Sequence, residues 1–205
     1  MTLTPTVLHE YDRAAPGADQ TETATFGVGC FWGPDAEFGG IDGVVRTRVG
    51  YAGGTTADPT YHSLGDHTEV VQVAYDPAAV SYAELLQRIF TSHNPRRQTG
   101  KRQYHNVLLT ETDAQAEAVR AYLETGPFDP GSVETRIEEF SRFSPAEHYH
   151  QKYNLRSRRW AKQAFDEAGY DAEQLRDSPA AAKLNAHVSG HDVSLPFLDA
   201  RNRSE

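Results

Sequence analysis

Cysteine is nearly absent from this chain, because Cys30 is the only one among its 205 residues. A single thiol cannot form an internal disulfide, so the sequence favours a reducing compartment, and the cytoplasm is the simplest expectation. Long apolar runs are absent too, since none approaches the ~20 residues that a membrane helix needs. The segment from Met1 to Gln20 lacks the basic start and the apolar core of a secretory signal. We therefore expect no membrane partner.

Positive charge is scarce as well, and the formal net charge is −9. This deficit argues against a nucleic-acid partner, which requires a basic face. The sequence also lacks internal repeats. Separately, we expect the protein to be a monomer. One local basic cluster is nevertheless present, and it consists of Arg96, Arg97, Lys101 and Arg102. Such a cluster is either a solvated loop or a rim that attracts anions to a functional site.

Strand and helix signals alternate along the chain in the order β-α-β-β-α-β-α-β. This order predicts an α+β fold, a two-layer sandwich with a ferredoxin-like core and a mixed or antiparallel sheet. Alternating and β-branched runs predict strands, and amphipathic periodicity predicts helices. The predicted strands cover 23–29, 44–51, 68–75, 104–110 and 133–138, and the helices between them cover 34–39, 81–92 and 112–125.

The chain divides into three predicted parts. Residues 1–22, rich in Pro, Asp and Ala, are expected to form a mobile N-terminal arm. Residues 23–155 are the expected catalytic domain. Residues 156–205 are expected to form a helical C-terminal extension, ending in an irregular tail and packed on the same domain. After residue 140 the pattern predicts helices at 145–154, 157–169 and 172–184.

The lone cysteine lies in the pentapeptide Gly29-Cys30-Phe31-Trp32-Gly33, where a predicted strand runs into a predicted helix. Unpaired N–H groups and the positive end of the helix dipole would favour the thiolate and lower the thiol pKa. The two aromatic residues suggest a small apolar pocket beside a nucleophile. The alternatives are a buried structural cysteine and two aromatic side chains that belong to the core.

The pentapeptide resembles the active-site signature of the methionine sulfoxide reductase A family. Further segments resemble that family in the same order and at similar spacing, from about Thr23 to Tyr153. These segments are Gly50–Gly54, Asp58–Tyr61, His67–Val70, Tyr75–Pro77, Ser92–Pro95, Gln103–Tyr104 and Ala146–Gln151.

The resemblance implies reduction of the S-epimer of methionine sulfoxide, free or bound in a peptide. It implies that Cys30 attacks the sulfur and that Glu69 is the acid, held partly desolvated so that it keeps a proton. It further implies that Tyr61 and Tyr104 are hydroxyl donors to the sulfoxide oxygen. Taken alone, Glu69 could be a solvated charge at a strand edge, and the tyrosines could be half-buried core residues.

Other residues are expected to bind the substrate. Phe31 and Trp32 would hold the S-methyl group, an apolar task suited to aromatic faces. The remaining expected substrate contacts are Gly29, His67 and Thr99. His67, His148 and His150 suggest a metal site with Cys30 only weakly, because four ligands at zinc-like spacing are absent. We expect neither a metal nor a cofactor.

The chain departs from the family pattern at three places. The loop from His62 to Thr68 is short, which suggests an open mouth of the site. The family's aspartate, which helps to hold the substrate backbone, falls on Thr99, and a basic loop replaces an acidic one. This change could favour an anionic substrate or an anionic thiol reductant.

The third departure is that no second cysteine exists near the C-terminus to resolve a sulfenic acid. Arg156, Arg158, Arg159, Trp160 and Lys162 lie in that part of the chain. An external thiol must therefore regenerate Cys30, either a thioredoxin- or glutaredoxin-like protein or a low-molecular-weight thiol.

Two alternative functions stay open on the sequence alone. One is a different thiol-dependent redox enzyme on the same scaffold, such as a peroxidase or a thiol-transfer protein, which the altered loop from Thr99 to Arg102 motivates. The other is a non-catalytic module that binds oxidised methionine.

Overall fold

The computed structural model describes residues 3–199, apart from the side chains of Pro130 and Asp199. Within this range the strands form one sheet in the order β5-β4-β1-β3-β2-β6. The strands are β1 (Glu22–Val28), β2 (Val44–Ala52), β3 (Thr68–Tyr75), β4 (Asn106–Thr110), β5 (Arg136–Glu139) and β6 (Ser144–Pro145). The helices are α1 (Pro5–Ala14), α2 (Trp32–Gly39), α3 (Tyr82–Thr91), α4 (Asp113–Thr125), α5 (Tyr153–Arg156), α6 (Arg159–Glu167), α7 (Ala172–Asp177), α8 (Pro179–Val188) and α9 (Pro196–Asp199).

The central part of the sheet has ferredoxin-like topology. The elements follow the chain order β1-α2-β2-β3-α3-β4, and the strands lie in the order β4-β1-β3-β2 with every neighbouring pair antiparallel. Strand β5 then pairs with β4 in parallel, after the crossover helix α4. The predicted α+β fold class is therefore confirmed.

The main core lies between the sheet and helices α3 and α4. Leu86 and Ile89 of α3 are fully buried with Phe26 and Val73 of the sheet. Helix α3 begins as the sequence predicts, because the hydroxyl of Ser81 accepts a hydrogen bond from the backbone N–H three residues on and completes a capping box.

Helix α2 positions the end of β1, because it packs between β2 and helix α8. The contact with α8 is close enough to require a glycine: a Cβ on Gly39 would lie 2.8 Å from the backbone oxygen of Ala182. The C-terminal end of α2 is therefore packed directly on the backbone of α8.

A buried polar network fastens α2 to three other parts of the chain. The ammonium group of Lys152 is 3.2 Å from the carboxylate of Asp35 in α2. The same carboxylate accepts hydrogen bonds from Thr47 of β2 and from Asn185 of α8. All four side chains are buried, which makes this a network whose members depend on one another.

The N-terminal segment differs from the expected mobile arm. Residues 5–14 form α1, with Thr4 as the N-cap and Pro5 in the first turn. Leu8 is fully buried in a second apolar cluster, together with Phe165 of α6 and Leu184 of α8. The helix forms because it has an apolar partner that lies more than a hundred residues away in sequence. The boundaries of the three parts stay predictions, and residues 1–2 lie outside the described residues.

The C-terminal helices agree with the sequence only in part. The helix predicted over 145–154 is wrong, because residues 148–152 form turns, with Lys152 at a φ of 52°, and only α5 follows. The helix predicted over 172–184 is two helices, since Ser178 caps α8 and Pro179 begins it. The predicted tail contains α9, and residues 200–205 lie outside the described residues.

Between residues 3 and 199, none of the helices combines the length and the apolar character that crossing a bilayer would require.

Candidate active site

Cys30 lies in the turn between β1 and α2. Gly29 has a φ of 93°, a backbone conformation that favours glycine, and it turns the chain so that the cysteine is exposed. The backbone N–H of Trp32, the first residue of α2, hydrogen-bonds to the sulfur and favours the thiolate. The structure therefore places the thiol at a strand-to-helix turn, where the sequence predicts it.

The pKa of the Cys30 thiol is raised, contrary to the sequence expectation. Burial of the sulfur is the largest cause, and the nearby carboxylate of Glu69 adds to it. The hydrogen bond from Trp32 opposes both effects but does not outweigh them. The helix start stabilises the thiolate as expected, yet desolvation in the folded site decides the direction of the shift.

Glu69 is 1% exposed and lies in β3, beside the turn that carries the cysteine. The backbone N–H of Phe31 donates to one carboxylate oxygen at 3.2 Å, and the amide of Gln103 donates to the other at 2.6 Å. Burial raises the pKa of Glu69, while these two donors and the charge of Lys101 lower it in part. Glu69 is thus a desolvated acid and not a solvated edge charge.

The two predicted hydroxyl donors lie side by side. Tyr104 is part of a short 3-10 turn over residues 102–104, just before β4 and not inside it. The pKa of Tyr104 is raised to about 12 by burial and by the nearby charge of Glu69, and the neighbouring hydroxyl of Tyr61 adds to this shift. A tyrosine with such a pKa stays protonated near neutral pH and can donate a hydrogen bond.

An aromatic wall borders the site. Phe31 is 2% exposed and packs against Tyr51 of β2. The indole of Trp32 stacks on Tyr153, with 3.7 Å between the ring centroids, and its N–H donates to Nδ1 of His150 at 3.3 Å. The stacking and the hydrogen bond therefore fix the orientation of the indole, which stays partly exposed.

Glu147 organises this wall, and the sequence interpretation assigned it no role. One of its carboxylate oxygens accepts the hydroxyl of Tyr51 at 2.8 Å, and the other accepts the backbone N–H of Tyr61 at 2.9 Å. Nε2 of His150 is buried without a hydrogen-bond partner, 3.9 Å from Glu147. Burial lowers the pKa of His150, so a neutral ring fits its role as acceptor from Trp32.

Gln103, Glu147 and His150 were all within segments that carry the family resemblance. Their positions in these motifs could have indicated that they belong to the site. The hydrogen bond between Gln103 and Glu69, which are 34 residues apart, could not be predicted from any local pattern.

His67 and Thr99 lie less directly at the site. His67 is 2% exposed, and its Nε2 pairs with the backbone oxygen of Thr56 at 2.8 Å, which supports the neighbouring loop. Thr99 is exposed, and its hydroxyl donates to the backbone oxygen of Lys101 at 3.0 Å. For both residues, direct contact with a substrate stays a prediction.

Among the described residues, no group of three or more His, Cys, Asp or Glu side chains is arranged to hold a metal ion.

Comparison with known proteins gives a consistent result. The family model described as peptide methionine sulfoxide reductase matches residues 22–180. The peptide methionine sulfoxide reductase of Drosophila melanogaster is 40% identical over 171 residues, covering 82% of this chain and 68% of that protein. The peptide methionine sulfoxide reductase MsrA of Methanococcoides burtonii is 40% identical over 145 residues, covering 64% of this chain and 94% of that protein.

A solved structure agrees with these relatives. Methionine sulfoxide reductase A of Corynebacterium diphtheriae is 32% identical and superposes with a TM-score of 0.58, covering 68% of this chain and 76% of that chain. The range that the family model matches includes the turn with Cys30 and the strand with Glu69.

Proposed function

Since the chain belongs to the peptide methionine sulfoxide reductase family, we propose that it reduces the S-epimer of methionine sulfoxide by attack of Cys30 on the sulfoxide sulfur. Membership of the family makes the chain an oxidoreductase that acts on methionine sulfoxide. The observation that carries the proposed chemistry is the pairing of an exposed thiol with a buried carboxyl group. The N–H of Phe31, the residue after Cys30, donates to Glu69 at 3.2 Å.

The reaction begins with a proton on Glu69 and a thiolate on Cys30. A sulfoxide sulfur becomes electrophilic when its oxygen is protonated, and Glu69 supplies that proton while Tyr61 and Tyr104 donate hydrogen bonds to the oxygen. Burial supports this role, because it raises the pKa of Glu69 and so favours the protonated acid.

Protonation of Glu69 also assists the nucleophile. The carboxylate is one of the causes that raise the pKa of Cys30, so a neutral Glu69 makes the thiolate easier to form. A protonated Glu69 and a thiolate at Cys30 can therefore be present together when the sulfoxide binds.

Oxygen transfer completes the first half of the cycle. Attack first joins the Cys30 sulfur to the substrate sulfur. The protonated oxygen then moves to the Cys30 sulfur, the bonds from the substrate sulfur to this oxygen and to Cys30 break, and methionine leaves. The substrate gains two electrons, and Cys30 loses two and becomes a sulfenic acid. The partly exposed indole of Trp32 and the apolar ring of Phe31 suit the S-methyl group.

Regeneration requires thiols from outside the chain, because Cys30 is its only cysteine. One external thiol attacks the sulfenic sulfur, releases water and forms a mixed disulfide. A second thiol then frees Cys30 and leaves as part of the external disulfide. A thioredoxin- or glutaredoxin-like protein or a small thiol fits this role.

A single-turnover assay tests the proposed chemistry. Reduced protein is mixed with each resolved sulfoxide epimer without any reductant, and methionine is quantified. The S-epimer should yield about one methionine per Cys30, with the sulfenic acid trapped by dimedone and detected by mass spectrometry. The R-epimer should yield none. Addition of dithiothreitol should convert the single turnover into many.

Cys30→Ser is the decisive variant for this assay. It should yield no methionine with either epimer, and unchanged circular dichroism should show that it is folded. Methionine formed by the serine variant would contradict the proposed attack.

A further inference from the structure

The loop that supplies Gln103 and Tyr104 to the site also carries concentrated positive charge. Its basic side chains are all exposed, and within residues 3–199 none of them forms a salt bridge with a carboxylate. The chain as a whole has a net charge of −9, so this cluster differs in sign from the molecule that carries it. We define the basic rim as Arg96, Arg97, Lys101 and Arg102.

The basic rim is fastened to the strand that holds Glu69. The hydroxyl of Thr68 donates to the backbone oxygen of Arg102 at 3.0 Å, and the guanidinium of Arg102 donates to the backbone oxygen of Asp66 at 2.6 Å. Gln103 reaches Glu69 directly. The part of the rim at Arg102 is therefore held beside the strand that carries Glu69.

Lys101 is the rim residue that contacts a proposed oxygen-binding group. Its ammonium group is 5.0 Å from the ring centroid of Tyr104, a cation–π contact. Its charge also reaches Glu69, whose pKa it lowers. Since Tyr104 is proposed to bind the sulfoxide oxygen, a residue adjacent to methionine sulfoxide in a peptide would come close to this ammonium group.

We propose that the basic rim, with Lys101 at its inner edge, selects oxidised peptides that carry acidic residues next to the methionine sulfoxide. This inference rests on the proposed reductase function and adds a substrate class to it. A neighbouring peptide residue lies ~3.5 Å along the chain, which is well within the ~8 Å over which exposed charges interact at physiological salt. Charges at a rim act mainly on the rate of encounter.

The test compares three blocked peptides that differ only in the residues flanking methionine sulfoxide, which are Glu, Gln or Lys. Each peptide reacts once with reduced protein in the absence of reductant, so the reductant step cannot contribute. At low salt the Glu peptide should react about tenfold faster than the Lys peptide, with the Gln peptide between them. Near ~1 M salt the ratio should approach one, because screening is nearly complete.

Charge reversal identifies the residues responsible. Lys101→Glu should invert the order of the Glu and Lys peptides, and the double variant Arg96→Glu/Arg97→Glu should reduce their ratio. Ratios are compared because a changed pKa of Glu69 affects all peptides alike. Arg13→Glu is the matched control: Arg13 is exposed on α1, the charge change is the same, and the ratio should equal that of the wild type.

Two results would overturn the inference: equal rates for the three peptides, or a preference that survives Lys101→Glu. If the single-turnover rates are equal and thiol-driven turnover depends on salt and on Lys101, the rim serves the reductant instead. Failure of the proposed function itself looks different, because then not even the Gln peptide would yield methionine.

Discussion

At the scale of the residue, Cys30 and Glu69 must divide one proton between them. Burial raises the pKa of both groups, and the carboxylate of Glu69 raises that of Cys30 further. The reactive pair, a thiolate beside a neutral acid, has the same net charge as a thiol beside a carboxylate. The value of kcat/KM should therefore rise with pH through the lower pKa of the pair and fall through the higher one.

Glu69→Gln should separate the two roles of this carboxyl group. Single-turnover reduction should fall by about 10²–10⁴-fold, because the proton donor is lost. The pKa of Cys30, measured by the pH dependence of iodoacetamide alkylation, should fall below that of the wild type, because a neighbouring negative charge is removed. Glu117→Gln, a change at an exposed position of α4, should alter neither quantity. An unchanged alkylation profile in Glu69→Gln would show that the two groups are not coupled.

At the scale of the element, buried contacts with other elements fix the position of the first turn of α2. Asp35 anchors the helix to Lys152, Thr47 and Asn185, so that α2, β2, α8 and the turn before α5 share one buried polar network. Trp32 at the start of the same helix is fixed by Tyr153 of α5. The position of the nucleophile therefore depends on contacts made by the C-terminal part of the chain.

Lys152→Met should destabilise the fold by about 3–5 kcal/mol, because it leaves the carboxylate of Asp35 buried without its cation. The double variant Asp35→Asn/Lys152→Met should recover much of this loss, since no isolated charge stays buried. Urea unfolding followed by tryptophan fluorescence measures both. If adding Asp35→Asn lowers the stability of Lys152→Met further and restores none of it, the loss does not come from an unpaired buried charge.

At the scale of the whole molecule, two large apolar clusters are present among residues 3–199. One lies between the sheet and helices α3 and α4, and the other joins α1 to the C-terminal helices from α5 onward. The second cluster explains why the N-terminal segment is helical. The C-terminal extension supports α2 separately, because α8 packs against that helix. The cytoplasmic location and the monomeric state stay predictions from the sequence.

Leu8→Ala should lower the free energy of unfolding by about 2–5 kcal/mol, because it leaves a cavity in the second cluster. Glu10→Ala, at an exposed position on the same helix, should change the stability by less than about 0.5 kcal/mol. Equal and negligible effects of the two substitutions in urea titrations would restore the mobile arm that the sequence suggested.

The sequence by itself determined the features that rest on local patterns. Apolar alternation marked the strands of the central sheet, and the pair Ser81 and Glu84 marked the start of α3. The position of Cys30 between a strand and a helix marked the nucleophile. The cysteine count alone required an external reductant. Such features were predictable because each depends on residues within one or two turns of chain, or on composition.

Other parts of the site were predictable only through the family resemblance. It indicated Glu69, Tyr61 and Tyr104, and the structure brings them together with Cys30. Composition and periodicity could not have paired them, because they lie on separate loops and strands.

The tertiary structure alone decided the rest. It set the direction of the Cys30 pKa, joined Gln103 to Glu69, and replaced the helix predicted over 145–154 with turns that deliver Lys152 to Asp35. The physical reason is common to all three. Desolvation and buried polar pairing depend on groups that the fold brings from distant parts of the chain, and no local pattern records them.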